Sequence, residues 1–262
     1  MSKLALVTGA SSGIGRATAV LLAQKGWRVI ALARRAEVLS ELAEEVGEAI
    51  IPVVCDGGDG EAVLRMSDDV LATDGVPDVI VHCAGAGQWK EIEDTSPDDL
   101  DRMMAAPFRS AFHINHAFLA AMIERGTGRL LHINSPASVM AWGGATGYVT
   151  ARFALRGLNE ALCADLRGTG VWTSNVTFGE VSSSYFDANP DSQAKIPKIA
   201  SLVGVMTPEA CAKVLVKAIR SRKREIIAPF MLKLFFLNFR LWPGLVHFFI
   251  GLTQRQRVLP RR

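Results

Sequence analysis

The chain has 262 residues, 49% of them hydrophobic, and 29 basic against 26 acidic side chains give a formal charge of +3. That length and apolar content fit a single α/β domain with a large core, and so mild a charge does not mark a nucleic-acid binder. Four scattered cysteines, Cys55, Cys83, Cys163 and Cys211, form no C-x-x-C pair, which argues against a zinc site or a disulfide framework and suits a reducing compartment. The first residues, MSKLALVTGA, pass straight into a strand and a glycine turn, so no signal peptide is expected. Short, β-branched, non-alternating runs predict buried strands at 4–7, 28–33, 50–54, 78–82, 129–133, 172–178 and 225–228. Helical patterns lie between them at 13–25, 36–46, 60–73, 97–124, 145–167 and 208–222. Ser96 followed by Pro97 marks the start of the fourth helix. This alternation predicts a doubly wound parallel α/β sheet of about seven strands in three layers, Rossmann-type.

The stretch LALVTGASSGIGRA (4–17) is strand, glycine turn and helix start. Gly9, Gly13 and Gly15 permit tight turning and close approach of backbone to a ligand. A helix beginning near residue 13 offers free N–H groups and partial positive charge to a pyrophosphate. At the end of the second strand stand Arg34 and Arg35, where a carboxylate would select NAD. Either arginine can hold a 2′-phosphate by charge-assisted bonds, which reads as NADP(H) rather than NAD(H).

The motif Thr8-Gly9-Ala10-Ser11-Ser12-Gly13-Ile14-Gly15 resembles the cofactor turn of the short-chain dehydrogenase/reductase family, and further matches follow in order. Asp56 follows the third strand, where that family contacts adenine. His82-Cys83-Ala84-Gly85 stands where N-N-A-G is usual. Ser135 precedes Tyr148 by thirteen residues, the family interval. The stretch 178–183, with Gly179, Val181 and Ser183, stands where P-G-x-V-x-T is common. The resemblance covers about residues 1–228. It implies that Tyr148 exchanges a proton with the substrate oxygen while Ser135 polarises that oxygen.

Two positions depart from the family together. The family lysine is Arg152, and the asparagine that anchors its water chain is Pro107. Arg152 can favour a tyrosinate and bond ribose hydroxyls, but it does not titrate at ordinary pH. Proline at 107 should kink its helix. The oxygen-handling residues are kept and the proton-relay residues are not. An alternative to a working oxidoreductase is therefore a cofactor-binding protein with a non-redox role: pseudoenzyme, regulator, isomerase or cyclase.

Phe178 replaces the usual proline beside the expected nicotinamide. His82 and Cys83 read as core residues near the cofactor, and His113 and His116 as helix-face residues. No metal site is expected, since none of these has a partner at ligand spacing. Residues 181–206 break the strand–helix rhythm and correspond to the family's substrate lid. Tyr185, Phe186 and Trp142 read either as a hydrophobic substrate pocket or as packing residues. A catalytic domain at 1–228 is then followed by an extension, 229–262, apolar at helical spacing, broken at Pro243-Gly244 and basic at its end. The extension is too interrupted to span a bilayer. It reads as an amphipathic element on a membrane surface, a lid over the pocket or a subunit contact. A cytoplasmic or membrane-peripheral homodimer or homotetramer acting on a small hydrophobic carbonyl or alcohol is the resulting expectation.

Overall fold

A computed structural model describes residues 2–85, 87–187, 189 and 191–254. Positions 188 and 190 of the expected lid and the last eight residues of the extension, 255–262, lie outside the described residues. Strands β1 (Leu4–Thr8), β2 (Arg28–Ala33), β3 (Ile50–Val54), β4 (Val79–His82), β5 (Gly128–Asn134), β6 (Val171–Phe178) and β7 (Glu225–Ala228) form one sheet. Their order is β3-β2-β1-β4-β5-β6-β7 and every pairing is parallel. Parallel neighbours need crossovers, and the helices supply them: α1 (Gly13–Gln24), α2 (Ala36–Val46), α3 (Gly60–Thr73), α4 (Pro97–Met104), α5 (Ser110–Arg125), α6 (Thr146–Asp165) and α7 (Pro208–Ala218).

Alternate side chains of each strand enter opposite layers. Val7, Val29, Ala31, Val81 and Leu131 pack with Leu22 of α1, Leu39 of α2 and Leu215 of α7. Leu6, Ile30, Ile80 and Leu130 pack with Val63 of α3, Phe118 of α5 and Leu162 of α6. Covering both faces explains why the strands read as apolar runs rather than alternations. The strand order reverses between β1 and β4. Loops leaving their carboxyl ends diverge there and open a crevice.

The helix expected as one unit over 97–124 is divided. After α4 comes a π-helical turn, Ala105–Arg109, with buried Pro107 at its centre, and then α5. Proline has no N–H for the i→i−4 ladder, and the wider turn accommodates the missing bond. The start is closed by a capping box. The Asp99 N–H donates to Ser96 Oγ at 3.1 Å and the Ser96 N–H donates to Asp99 Oδ2 at 3.2 Å. Helix α7 ends at Ala218, short of the expected 222. The following stretch, 220–224, carries Arg220, Arg222, Lys223 and Arg224, and like charges about one turn apart disfavour further helix.

The lid region is irregular. Val181 bridges Met206, and 3-10 turns occupy Gln193–Lys195 and Lys198–Val203. The extension forms two helices, α8 (Phe230–Leu241) and α9 (Pro243–Thr253), divided where Pro243 begins the second. Phe235, Phe236 and Phe239 of α8 and Val246 and Ile250 of α9 pack with Met140, Trp142 and Ile199, and Leu232 of α8 is buried. Among the described residues no helix is long and apolar enough to cross a membrane.

Candidate active site

Backbone builds one end of the crevice. Gly9 has φ +65°, and a Cβ there would lie 3.0 Å from the Ala84 backbone nitrogen. A Cβ on Gly15 would lie 2.3 Å from the Gly9 carbonyl oxygen. Only glycine lets the turn fold back against its own strand and against the chain leaving β4. The Thr8 hydroxyl fixes that approach by accepting from the Ala84 N–H at 3.1 Å. Ser12 caps α1 without a side-chain bond to the helix, so the amides at the start of α1 keep their capacity for an anion.

Arg35 reaches back over this turn. Its Nη2 donates to Ser11 Oγ at 2.9 Å and to the Ser11 carbonyl at 3.3 Å. Arg34 is exposed and stands 4.0 Å from the Asp56 carboxylate. Asp56 Oδ1 accepts from the Gly58 N–H at 2.9 Å, which shapes the loop after β3. Two guanidinium groups thus border the crevice beyond β2, with one carboxylate between that edge and the loop.

Side chains build the other end. Tyr148 and Arg152 lie one turn apart on α6, and each is 7% exposed. The Arg152 guanidinium sits over the Tyr148 ring, 5.0 Å from its centre. Its Nη1 donates to the Ile133 carbonyl at 3.1 Å, and its Nε is buried without a partner among the described residues. A Cβ on Gly85 would be 2.9 Å from Arg152 Nη2, so the guanidinium lies directly against the loop after β4. Asn134 holds the helix from below by donating to the Arg152 carbonyl at 3.2 Å. Ser135 follows β5 and its Oγ accepts from the Ala137 N–H at 3.3 Å.

An aromatic wall faces Tyr148, centred on Trp89, a residue that sequence reasoning missed. Trp89 is 5% exposed and its ring lies 4.9 Å from Tyr148, 5.4 Å from Trp142 and 6.2 Å from Phe186. Tyr185 stands 6.3 Å from Tyr148 and 5.2 Å from Phe186. Trp89 Nε1 donates to the Tyr185 hydroxyl at 3.0 Å. Burial, the neighbouring Tyr148 and a smaller opposing effect of Arg152 leave the Tyr185 phenol well above its ordinary value. The Trp89 segment also clasps the lid: its N–H donates to Ser192 Oγ at 3.2 Å, and Lys195 Nζ donates to its carbonyl at 2.6 Å. One signal was available, an aromatic four residues beyond Gly85 at the sheet's carboxyl edge. Nothing in the sequence paired it with residues about a hundred positions away.

Gly9, Ser11, Ser12, Gly13, Ile14, Gly15, Arg34, Arg35, Asp56, Cys83, Ala84, Gly85, Gly179, Val181 and Ser183 line one cavity with Ser135, Tyr148 and Arg152. Trp142, Phe178, Tyr185 and Phe186 line it too, and its volume is about 1010 Å³. Pro107 is not among the lining residues, whereas Ala105, Ala106 and Ser110 around it are.

His82 is part of a buried polar chain rather than an isolated core residue. Its ring stacks on His132 at 4.7 Å, and its Nε2 donates to Asn115 Oδ1 at 2.8 Å. Asn115 Nδ2 donates to His132 Nε2 at 2.9 Å, and His132 Nδ1 faces Asn159 Oδ1 at 3.3 Å and Thr173 Oγ1 at 3.2 Å. This pattern is satisfied by two neutral imidazoles. Burial lowers the His82 pKa to about 4, and burial together with His82 lowers that of His132. His113 bonds the Gly57 carbonyl through Nδ1 at 3.1 Å, tying α5 to the loop after β3. Burial pushes the Cys83 thiol up.

A glycine turn at a helix start shares one crevice with Ser135, Tyr148 and Arg152 at the carboxyl edge of a parallel sheet, the arrangement of a doubly wound α/β protein with a ligand-sized cleft. The sequence profile described as short chain dehydrogenase matches residues 3–194, and the chain belongs to that family of oxidoreductases. Probable oxidoreductase EphD of Mycobacterium tuberculosis is 29% identical over 235 residues, covering 84% of this chain and 40% of EphD. The chain therefore spans less than half the length of that relative. D-threitol dehydrogenase of Mycolicibacterium smegmatis is 33% identical over 178 residues, covering 67% of this chain and 68% of the relative. Among solved structures, an alcohol dehydrogenase from the archaeon Thermococcus sibiricus complexed with 5-hydroxy-NADP is 26% identical with a TM-score of 0.75. That match covers 87% of this chain and 96% of the other.

Proposed function

We propose that the protein transfers a hydride between NADP(H) and a hydrophobic ketone, aldehyde or secondary alcohol, in the reducing direction, with Tyr148 as acid/base. One observation carries this reading: a single cavity runs from the glycine turn, past Tyr148 and Ser135, to an aromatic wall. Gly9, Gly13 and the start of α1 hold a pyrophosphate. Arg34 and Arg35 hold a 2′-phosphate, with Ser11 aligned by Arg35. A bound nicotinamide supplies or accepts the hydride.

The chain's own residues manage the oxygen. Tyr148 donates its phenolic proton to the carbonyl oxygen as that oxygen gains charge, and Ser135 donates a hydrogen bond to the same atom. Arg152, pinned to the Ile133 carbonyl and resting on the Tyr148 ring, holds that ring in place. Tyr185 stays protonated, and because its oxygen accepts from Trp89, its own proton is available to the pocket.

The D-threitol relative is named for a polyol. Here the wall is Trp89, Trp142 and Phe186, and Leu232, Phe235 and Ile250 extend it. Burying a polyol there would leave its hydroxyls without partners, at a cost of about 1–3 kcal/mol each, so an apolar substrate fits better. Half-exposed Phe112 on α5 and Phe153 on α6 support assembly as a homodimer or homotetramer through those helices.

The test is NADPH oxidation over a panel of lipophilic ketones and aldehydes, with NADH in parallel. Turnover preferring NADPH is expected. Tight NADPH binding with no turnover on any member would favour the non-redox alternative, to which the buried arginine at position 152 lends its support.

A further inference from the structure

We propose that the outer face of the α8–α9 hairpin docks on an anionic membrane surface, and that a bilayer-resident carbonyl lipid reaches the cavity beside it. The docking claim stands on the hairpin alone, whereas the lipid claim rests on the oxidoreductase reading.

Each helix is apolar on two faces. In α8 the inner stripe is Leu232, Phe235, Phe236 and Phe239. The outer stripe is Phe230, Leu234, Leu237 and Leu241, at i, i+4, i+7 and i+11, exposed by 68%, 37%, 53% and 55%. In α9 the outer stripe is Leu245, Phe248, Phe249 and Leu252, and Trp242 stands exposed between the two helices. Leu202 in the lid turn beneath the hairpin is also exposed. One apolar stripe suffices to dock a helix on its own fold. A second, contiguous one needs another partner.

Charge selects that partner. Residues 229–262 hold six of the 29 basic residues and none of the 26 acidic ones, so the rest of the chain, 23 basic against 26 acidic, is net negative at −3. Lys233 and Arg240 are exposed one heptad apart on α8, beside the outer stripe. Basic residues flanking an aromatic and aliphatic face are what an interfacial helix presents to anionic headgroups. A two-fold pairing of hairpins would instead bring two elements of the same positive charge together, with no acidic residue in either to offset them. At 12 and 11 residues, α8 and α9 are too short to span a bilayer, so the hairpin lies on it. Its inner residues Leu232, Phe235 and Ile250 line the cavity, so the docked element and the cavity wall are one piece.

The experiment uses the full chain with phosphatidylcholine vesicles, with and without phosphatidylglycerol. Co-sedimentation is expected only when phosphatidylglycerol is present. The double variant L237E/F248E, both positions exposed and outside the catalytic set, should bind about tenfold more weakly or worse with an unchanged melting temperature. Its rate on a short water-soluble ketone should match the parent's, and its rate on a long-chain ketone held in vesicles should fall. Failure of the parent chain to sediment overturns docking; light scattering then shows whether the face joins two copies or none. Equal loss of both rates overturns lipid delivery. Absence of any turnover by the parent, with sedimentation intact, instead counts against the oxidoreductase reading and leaves docking standing.

Discussion

The two ends of the cavity are made of different material. Beyond β1 and β2 the surface is backbone, shaped by Gly9 and Gly15, whose missing side chains allow the chain to pass within contact distance of itself. Beyond β4, β5 and β6 it is side chain: Trp89, Trp142, Tyr148, Tyr185 and Phe186 in a connected series of ring contacts. A backbone site recognises what every nucleotide shares. On the proposed reading, the side-chain end is where a substrate is selected and a proton is moved.

The largest expected effect tests whether the aromatic end is one packed unit. Trp89→Ala removes the ring that touches Tyr148, Trp142 and Phe186 and breaks the bond to Tyr185. Unfolding in urea should show a loss of about 3–5 kcal/mol, while NADPH affinity of the folded fraction changes little. A large loss of affinity would mean that the two ends are not separable.

Acid should act on the same end. His82 titrates near 4 in the fold against 6.5 for an ordinary histidine. Between those values the unfolded chain binds the extra proton, so stability is complete above about pH 6.5 and falls as pH drops toward 4. The loss is on the order of 3 kcal/mol for His82, read from urea melts at pH 7 and pH 4.5.

The smallest effect belongs to the cofactor edge. Arg34→Asp should move the NADP/NAD affinity ratio toward NAD by about tenfold or more, with no change in melting temperature, because Arg34 is exposed and pairs only loosely with Asp56. An unmoved ratio would place the phosphate contact on Arg35 alone.

Legibility followed the same division. Glycine spacing and the apolar runs dictate local geometry, so the turn, all seven strands and the sheet were readable from residues adjacent in sequence. Ser135 and Tyr148 were readable through their interval. Trp89 with Tyr185, and His82 with Asn115, His132 and Asn159, meet only through the packing of β4, β5, α5, α6 and the lid, and no local pattern encodes such meetings. Pro107 lay between these cases. Its missing N–H foretold an interruption, and the form taken is a π-helical turn rather than a simple kink.

The division of labour between backbone and side chain has one direct test: NADPH titration and ketone reduction measured on the same preparation of Tyr148→Phe. The variant should bind NADPH as the parent does and lose about 10²–10⁴-fold in kcat. Reduction at the parent rate, with binding intact, would contradict the assignment of Tyr148 and with it the account of the side-chain end.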